Sequence, residues 1–210
     1  MTTVTLYSDF ICPYCYLGER GAAPALEALD LTLDWRGYEI HPEIPAEGIS
    51  AERLRELGMG GQWRRIESFA EAAGVPINRP PLLPSSRLAL EGSEHARRAG
   101  LLDAYRDRIF RACFLEGKDI GNPELLADLA AEAGLDREVF LKESRARRFR
   151  AEIDRHREEA EDLMVTGVPS FFLHGVPVVG ARSGPEYLAV FKRILEKRAA
   201  RDRSAPAEQT

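Results

Sequence analysis

The sequence predicts an α/β fold whose chain is interrupted by a long helical segment, and three observations carry this prediction. Residues 1–40 pass from a strand-like pattern through a helical one to a second strand-like pattern. Residues 41–165 hold apolar stretches with helical spacing, punctuated by prolines and glycines. Residues 166–199 return to a strand-like pattern before a last helix, and we expect the polar residues 200–210 to form a disordered tail.

The first part predicts a β-α-β unit. Thr3–Tyr7 alternates between apolar and polar residues as a half-buried strand does, Tyr16–Leu29 has helical spacing, and Leu31–Tyr38 predicts a second strand. Two strands joined by one helix form a parallel pair with a right-handed crossover. The helix therefore begins at the carboxyl edge of the sheet, where open α/β sheets place their sites.

The middle part, residues 41–165, predicts about six helices in one inserted subdomain. Asn122 followed by Pro123 has the pattern of a helix start, and Ser85–Ser86 follows a proline-rich break in the same sense. Glycines such as Gly74, Gly100 and Gly134 follow the helical stretches, as C-terminal caps do.

The third part predicts a β-hairpin and a closing helix. Thr166–Leu173 has β character, His174-Gly175 supplies the turn, and a second strand lies around Pro177–Val179. Pro169 cannot donate to a strand ladder, so it must begin its strand through a special geometry such as a cis bond. The apolar stripe within Pro185–Ala199 predicts the last helix.

Composition limits the function classes. At 210 residues with 44% hydrophobic content, the chain is long enough for one large domain or one domain with an insertion. A net charge of −5 offers no general attraction to nucleic acid or anionic lipid, so we expect neither partner. The start has no basic and apolar secretion pattern, and we expect a cytoplasmic protein.

The residues that point to chemistry are Cys12-Pro13-Tyr14-Cys15, a C-x-x-C where a strand runs into a helix. Pro13 falls at the first helical position, so Cys12 sits at the helix start. Unpaired N–H groups and the helix dipole favour an anion there, which predicts that Cys12 ionises readily and attacks disulfides. Cys15 lies one turn further in and is the expected resolving thiol. The chemistry predicted is thiol-disulfide exchange.

Two other interpretations of the cysteines compete with thiol-disulfide exchange. A closed zinc site needs four ligands, but Cys113 is the only other cysteine and the four histidines show no paired spacing, so we expect no metal. A structural disulfide without turnover is disfavoured because cytosolic disulfides are usually transient or catalytic. Redox catalysis needs only protein sulfur, so no resident cofactor is expected.

Several other residues have competing interpretations. Asp9, three residues before Cys12, is either a proton acceptor for Cys15 or a structural carboxylate at a strand end. Cys113 lies in a strongly apolar helical stretch, which favours a buried small hydrophobe over a redox role. In the arginine-rich stretch Arg145–Arg157, arginines lie four residues from acids, which favours a solvated helix face over an anion site. The predicted ion pairs are Arg148–Glu152, Arg150–Asp154 and Arg155–Glu159. His41 follows the second strand but is most simply a loop histidine.

The chain as a whole resembles the DsbA-like oxidoreductases, and most closely their cytoplasmic FrnE-like branch. The resemblance covers nearly the whole chain and rests on three motifs: Asp9–Gly18, Phe114–Ile120 and Gly167–Phe172. It implies a thioredoxin fold with an all-helical subdomain inserted in the chain. It also implies that Pro169 is a cis-proline facing the cysteines. The backbone of Val168 would then lie open to an extended substrate peptide beside Cys12.

The resemblance also bears on the redox potential and on the alternative functions. Relatives with histidine between the cysteines are strong oxidants, whereas Tyr14 offers no cation, so we expect a milder couple. The family includes glutathione-dependent 2-hydroxychromene-2-carboxylate isomerases and kappa-class glutathione transferases, which typically use serine where this chain has Cys12 and need no second cysteine. A redox-sensing, chaperone-like protein would use the same groove without turnover. The expected partners are proteins with thiols or disulfides, with glutathione as a co-substrate; the direction of electron flow is left open.

Overall fold

The computed structural model describes residues 1–58 and 61–204. Its centre is a four-stranded mixed sheet. In order across the sheet, the strands are β2 (Leu31–Gly37), β1 (Thr2–Ser8), β5 (Ser170–Leu173) and β6 (Val176–Val179). The β1–β2 pair is parallel, whereas β1–β5 and β5–β6 are antiparallel. The predicted β-α-β unit and hairpin are therefore both present, and the two meet along β1.

Two helices pack against each other on one face of this sheet. They are α1 (Pro13–Ala28), which begins where predicted, and α9 (Gly184–Ser204). The ring of Phe171 on β5 meets that of Tyr187 on α9 edge-on, with centroids 5.0 Å apart. The other face carries Tyr7 and Phe172, whose rings also meet edge-on, at 6.0 Å.

The last helix is longer than the sequence predicts. It continues to Ser204, five residues beyond the predicted end at Ala199, so residues 200–204 are helical and not part of a disordered tail. Alanine and arginine favour helix, and the ion pair between Arg198 and Asp202 (3.1 Å) joins positions four apart on its surface. Residues 205–210 of the predicted tail lie outside the described residues.

The inserted segment contains seven helices in its described part, where the sequence predicts about six. It also contains a two-stranded antiparallel pair, absent from the all-helical prediction, whose strands are too short for an alternating pattern to show. The elements are β3 (Ile49–Ser50), α2 (Ala51–Glu56), α3 (Trp63–Ala73), β4 (Leu82–Leu83), α4 (Arg87–Arg98), α5 (Leu102–Phe114), α6 (Pro123–Glu132), α7 (Arg137–Arg145) and α8 (Arg150–Asp162).

The helix boundaries follow local chemistry. The Asn122 side chain accepts hydrogen bonds from the N–H groups of Glu124 and Leu125, so it caps α6 as predicted. Gly74 and Gly100 adopt positive φ angles of 65° and 73° just after α3 and α4, a conformation that glycine adopts without strain.

Aromatic packing joins the insertion to the sheet. Phe10, in the loop after β1, stacks on Trp35 of β2 at 5.1 Å and meets Phe110 of α5 at 5.0 Å. All three side chains are almost fully buried. The loop that carries the cysteines is thus held between the sheet and the inserted helices.

The arginine-rich stretch Arg145–Arg157 is divided between α7, a short connection and α8. Two of the predicted surface ion pairs are present, Arg150–Asp154 at 3.6 Å and Arg155–Glu159 at 3.7 Å. The third is wrong, because Arg148 lies before α8 and Glu152 instead pairs with Arg98 of α4 at 2.6 Å. Among the described residues, no helix combines the length and apolar character needed to cross a membrane.

Candidate active site

Cys12 lies at the junction of β1 and α1. It is the N-cap of α1, with extended backbone (φ −87°, ψ 113°), and Pro13 occupies the first helical position as predicted. The Cys12 N–H donates to the carbonyl of Asp9 at 3.1 Å, which closes the loop between strand and helix. The first turn of α1 contains no acidic residue, so nothing there offsets the positive end of the helix at the sulfur.

The loop before β5 meets Cys12 from the other end of the chain. The Cys12 thiol donates to the backbone carbonyl of Val168 at 3.6 Å, and the Val168–Pro169 peptide bond is cis. Pro169 lies against α1 at Gly18, where a Cβ atom would come within 3.0 Å of the proline ring. Glycine at this position therefore allows the loop to approach the helix closely.

Cys15 differs from Cys12 in exposure. Cys12 is partly exposed, whereas Cys15 is fully buried and accepts a hydrogen bond from the Asp9 N–H at 3.4 Å. Burial raises the pKa of the Cys15 thiol well above its ordinary value. Both cysteines are free thiols in the structure. One sulfur is thus open to a substrate and the other is shielded from it.

Asp9 is fully buried, and backbone groups hold its carboxylate. One oxygen accepts from the Ile11 N–H at 3.3 Å and the other from the Ile40 N–H at 2.8 Å. Burial raises its pKa to about 6, although these amides and the Ser86 hydroxyl act in the opposite direction. Asp9 therefore touches Cys15 through its backbone N–H, while its side chain ties the loop after β1 to the residues after β2.

Glu19 is a second acid near Cys15, and sequence reasoning missed it. It lies one helical turn beyond Cys15, with its side chain only 9% exposed. One carboxylate oxygen accepts from the Ser8 hydroxyl and from the Trp35 indole N–H, each at 2.7 Å. The Ser8 hydroxyl in turn lowers the pKa of Cys15, against the larger effect of burial. The sequence feature that could have identified Glu19 is its position four residues after Cys15, which places an acid on the apolar face of α1.

A cleft of about 290 Å³ opens beside Cys12, between the thioredoxin-like part and the inserted helices. The sequence predicts that Tyr14 and Val168 lie beside Cys12. It does not predict the contribution of Trp63 and Ile66 on α3, which are distant from Cys12 in the chain. The cleft contains no Asp, Glu, Lys or Arg among the described residues that line it. Its principal walls are Tyr14, Ile40, His41, Trp63, Ile66 and Val168.

Cys113 lies behind the site and not in it. It is on α5 and 1% exposed, so it is buried as its apolar stretch predicts. Burial, together with the nearby charge of Asp9, raises the pKa of its thiol. Within the described residues, no group of three or more His, Cys, Asp or Glu side chains is placed to hold a metal ion.

The structure thus brings together all seven residues that the sequence singled out for the site: Asp9, Cys12, Pro13, Tyr14, Cys15, Val168 and Pro169. A family model described as a DSBA-like thioredoxin domain matches residues 3–192. The Bacillus subtilis protein YwbO is 29% identical over 183 residues, which span 85% of this chain and 90% of that protein. The thiol:disulfide interchange protein DsbA of Pseudomonas aeruginosa is 30% identical over 189 residues, spanning 89% and 71% respectively.

Solved structures show the same fold. A probable DsbA oxidoreductase from Streptomyces coelicolor aligns with a TM-score of 0.82 and 23% identity, covering 100% of this chain and 94% of that one. A 2-hydroxychromene-2-carboxylate isomerase aligns with a TM-score of 0.75 and 21% identity, covering 97% and 100%. The cytosolic disulfide reductase DsbM from Pseudomonas aeruginosa, solved with GSH, gives 0.67 and 23%, covering 94% and 99%. The predicted DsbA-like thioredoxin fold is confirmed.

Proposed function

Because the chain belongs to the DSBA-like thioredoxin domain family, we propose that it is a dithiol-disulfide oxidoreductase in which Cys12 attacks and Cys15 resolves. The observation that carries this proposal is the asymmetry of the two thiols. Cys12 is partly exposed beside the Val168 carbonyl, and Cys15 is buried one turn further along α1. A structural disulfide would need no such difference in access.

In the proposed reaction, the Cys12 thiolate attacks one sulfur of a substrate disulfide. A mixed disulfide forms, and the other substrate sulfur leaves as a thiolate. Cys15 then loses its proton and attacks the Cys12 sulfur, which releases the second substrate thiolate and forms the Cys12–Cys15 disulfide. The substrate gains two electrons and the protein loses two; the reverse sequence oxidises a dithiol.

The substrate would bind in the cleft beside Cys12 and along the backbone of Val168. Among the described residues, the Val168 N–H has no backbone partner, so an extended peptide can pair with it beside the exposed sulfur. Tyr14 forms the adjoining wall and contacts Phe69 of α3 at 6.5 Å between ring centroids. Pro13 fixes the start of α1, and Pro169 holds the loop against it.

The proton of Cys15 needs an acceptor inside the protein. Asp9, which is fully buried, and Glu19, which is nearly so, are the acids beside it, and Glu19 has the better connection. Its carboxylate is hydrogen-bonded to the Ser8 hydroxyl, which itself interacts with the Cys15 sulfur. Asp9 directs both carboxylate oxygens at backbone N–H groups instead. We assign the proton acceptor to Glu19, acting through Ser8.

We further propose that the protein acts in the cytoplasm on protein thiols and disulfides and needs no metal or organic cofactor. A reducing compartment favours the reductive direction. The structural likeness to a cytosolic disulfide reductase solved with GSH supports glutathione as the recycling partner.

A second candidate is a glutathione-dependent isomerase or transferase. The observation that favours it is the 23% identity over 172 residues to the 2-hydroxychromene-2-carboxylate isomerase of Pseudomonas putida, covering 81% of this chain and 84% of that protein. This chemistry gives Cys15 no role. The third candidate, a chaperone-like binding protein, needs neither cysteine for its activity.

Trapping a mixed disulfide separates the three candidates. Cys15→Ser, incubated with an oxidised peptide, should accumulate one covalent adduct at Cys12, detected by mass spectrometry. Cys12→Ser should form none, and Cys113→Ser, the matched control, should turn over like the unmodified protein. Full isomerase or binding activity in Cys12→Ser, with no adduct in Cys15→Ser, would reject the oxidoreductase.

A further inference from the structure

A second concave surface lies far from the cysteines, between β6 and α9. We call it the basic groove. The turn at His174-Gly175 forms one of its ends, next to Leu173, which pairs with Val4 near the start of β1. Cys12 follows the opposite end of β1. The groove is therefore separate from the exchange site and serves no step of the proposed reaction.

The floor of the groove is apolar and holds a volume of about 370 Å³. Val176 and Val178 lie two apart on the edge strand β6, so their side chains share the face that meets α9. Val190 and Ile194, four apart on α9, complete the floor. Val176 is 44% exposed, whereas Val178 and Ile194 are buried, so the uncovered part of the floor is at Val176.

The rim of the groove is cationic. Arg193, Lys197 and Arg201 recur every four residues along α9, so they form one row beside the apolar floor. Arg198 adds a further cation to the rim and also contacts Asp202 at 3.1 Å, and the His174 ring lines one end of the groove. None of the described residues that line the groove is acidic. The chain as a whole has a net charge of −5, so this row is a positively charged region on a negatively charged protein.

We propose that the basic groove binds an acidic, partly apolar segment of a partner polypeptide, in which carboxylates alternate with aliphatic side chains. The aliphatic side chains would cover the valine floor, and the carboxylates would meet the row of cations on α9. Carboxylates suit guanidinium groups because both can form two parallel hydrogen bonds.

Charge and shape exclude other occupants. A second copy of this chain docked symmetrically through the same groove would bring two cationic rims together, which repel. A nucleic acid would meet valines instead of cations on the floor, and a flat bilayer cannot follow a concave surface. Pairing along the free edge of β6 is also limited, because Pro177 faces Phe172 in the ladder and has no N–H to donate. Recognition therefore rests on side chains.

The test uses the full chain and a fluorescent peptide in which glutamate alternates with valine, followed by anisotropy. Arg193→Glu/Lys197→Glu should weaken binding at least tenfold, which equals about 1.4 kcal/mol. Lys192→Glu/Arg203→Glu, on the same helix but outside the groove, carries the same change of net charge and should weaken binding less than threefold. Val176→Thr should weaken it severalfold, and added salt should weaken it further.

Controls for folding, for the exchange site and for the chemistry of the ligand make the outcome decisive. Circular dichroism and the reactivity of Cys12 show that each variant is folded, and Cys12→Ser should bind the peptide as tightly as the unmodified chain does. Equal binding of a glutamate–serine peptide would mean charge attraction alone, and displacement by decanoate would indicate a site for anionic amphiphiles. Either result, or no saturable binding at millimolar peptide, overturns the proposal without affecting the oxidoreductase.

Discussion

Asp9 is fully buried beside Cys15 and Glu19 is nearly so, but their surroundings give them different roles. Asp9 is tied to two backbone N–H groups, whereas Glu19 accepts from a hydroxyl and an indole and also lies 3.6 Å from the Arg106 guanidinium. The sequence predicted Asp9 as a candidate because of its place in the motif. It did not reveal Glu19, whose partners Ser8 and Trp35 lie on two different strands and come together only in the sheet.

Asp9→Asn should stabilise the protein in a pH-dependent way. Burial raises the Asp9 pKa from 3.8 to about 6, so the folded protein holds this proton more tightly than the unfolded chain. The resulting stabilisation is complete below pH 3.8 and is lost as the pH rises through 6. At pH 8 the ionised carboxylate therefore costs about 3 kcal/mol.

Urea unfolding at pH 8 and pH 4 measures this effect. Asp9→Asn should raise the free energy of unfolding by about 1–3 kcal/mol at pH 8. The gain is smaller than the cost of the buried charge because the Asn NH2 group would face the N–H of Ile11 or Ile40, and two donors cannot pair. At pH 4 it should have little effect, since the wild-type carboxyl is then already protonated in the fold. Destabilisation at pH 8 would mean that the hydrogen bonds to Ile11 and Ile40 outweigh the burial of charge.

Glu19→Gln should slow the resolving step. Loss of the proton acceptor should reduce the rate at which Cys15 cleaves a preformed Cys12 mixed disulfide by about 10² at pH 6. The deficit should shrink at high pH, where hydroxide removes the Cys15 proton. Quenched-flow decay of the adduct over a pH series measures both effects. A larger and similarly pH-dependent effect of Asp9→Asn would assign the acceptor to Asp9.

Among the secondary-structure elements, α4 joins the inserted helices to one another through a buried acid. Glu91 of α4 is 3% exposed at its side chain and is held between Arg87 on the same helix and Arg147 after α7, at 2.8 Å and 2.7 Å. Arg87 also reaches Glu39, after β2, at 3.2 Å. This ionic cluster links the insertion to the sheet edge near the cysteines.

Glu91→Gln should destabilise the fold by about 3 kcal/mol, because it leaves two arginines around a buried neutral group. Glu56→Gln is the matched control: Glu56 pairs with Arg53 on an exposed face, and its loss should cost less than about 1 kcal/mol. Urea unfolding compares the two variants. Equal effects would show that the cluster contributes no more than a surface ion pair does.

The elements themselves show where sequence patterns succeed and fail. Asn122-Pro123 and Gly74 predict boundaries of α6 and α3 because the capping chemistry is local. The Glu91–Arg147 contact joins residues 56 positions apart, so no local pattern contains it. The end of α9 was placed too early because a charged stretch resembles a solvated tail in composition, although its residues favour helix.

At the scale of the whole molecule, two halves of a redox site come from opposite ends of the chain. The resemblance of Asp9–Gly18 and Gly167–Phe172 to one family predicted that Cys12 and Val168 meet, and the structure places them in contact at 3.6 Å. The cleft wall formed by Trp63 and Ile66 was not predicted, because it depends on how the insertion folds back over the sheet edge.

The central claim is that Cys12 and Cys15 form one exchangeable redox couple. The most direct test equilibrates the protein across glutathione redox buffers, quenches with acid, and counts the free thiols by mass spectrometry. We predict a single two-electron transition shared by Cys12 and Cys15, with Cys113 a thiol throughout. Since Tyr14 supplies no cation, the midpoint should lie closer to about −270 mV than to about −120 mV. Glutathione binding without any intramolecular disulfide would contradict the claim and favour the isomerase or transferase.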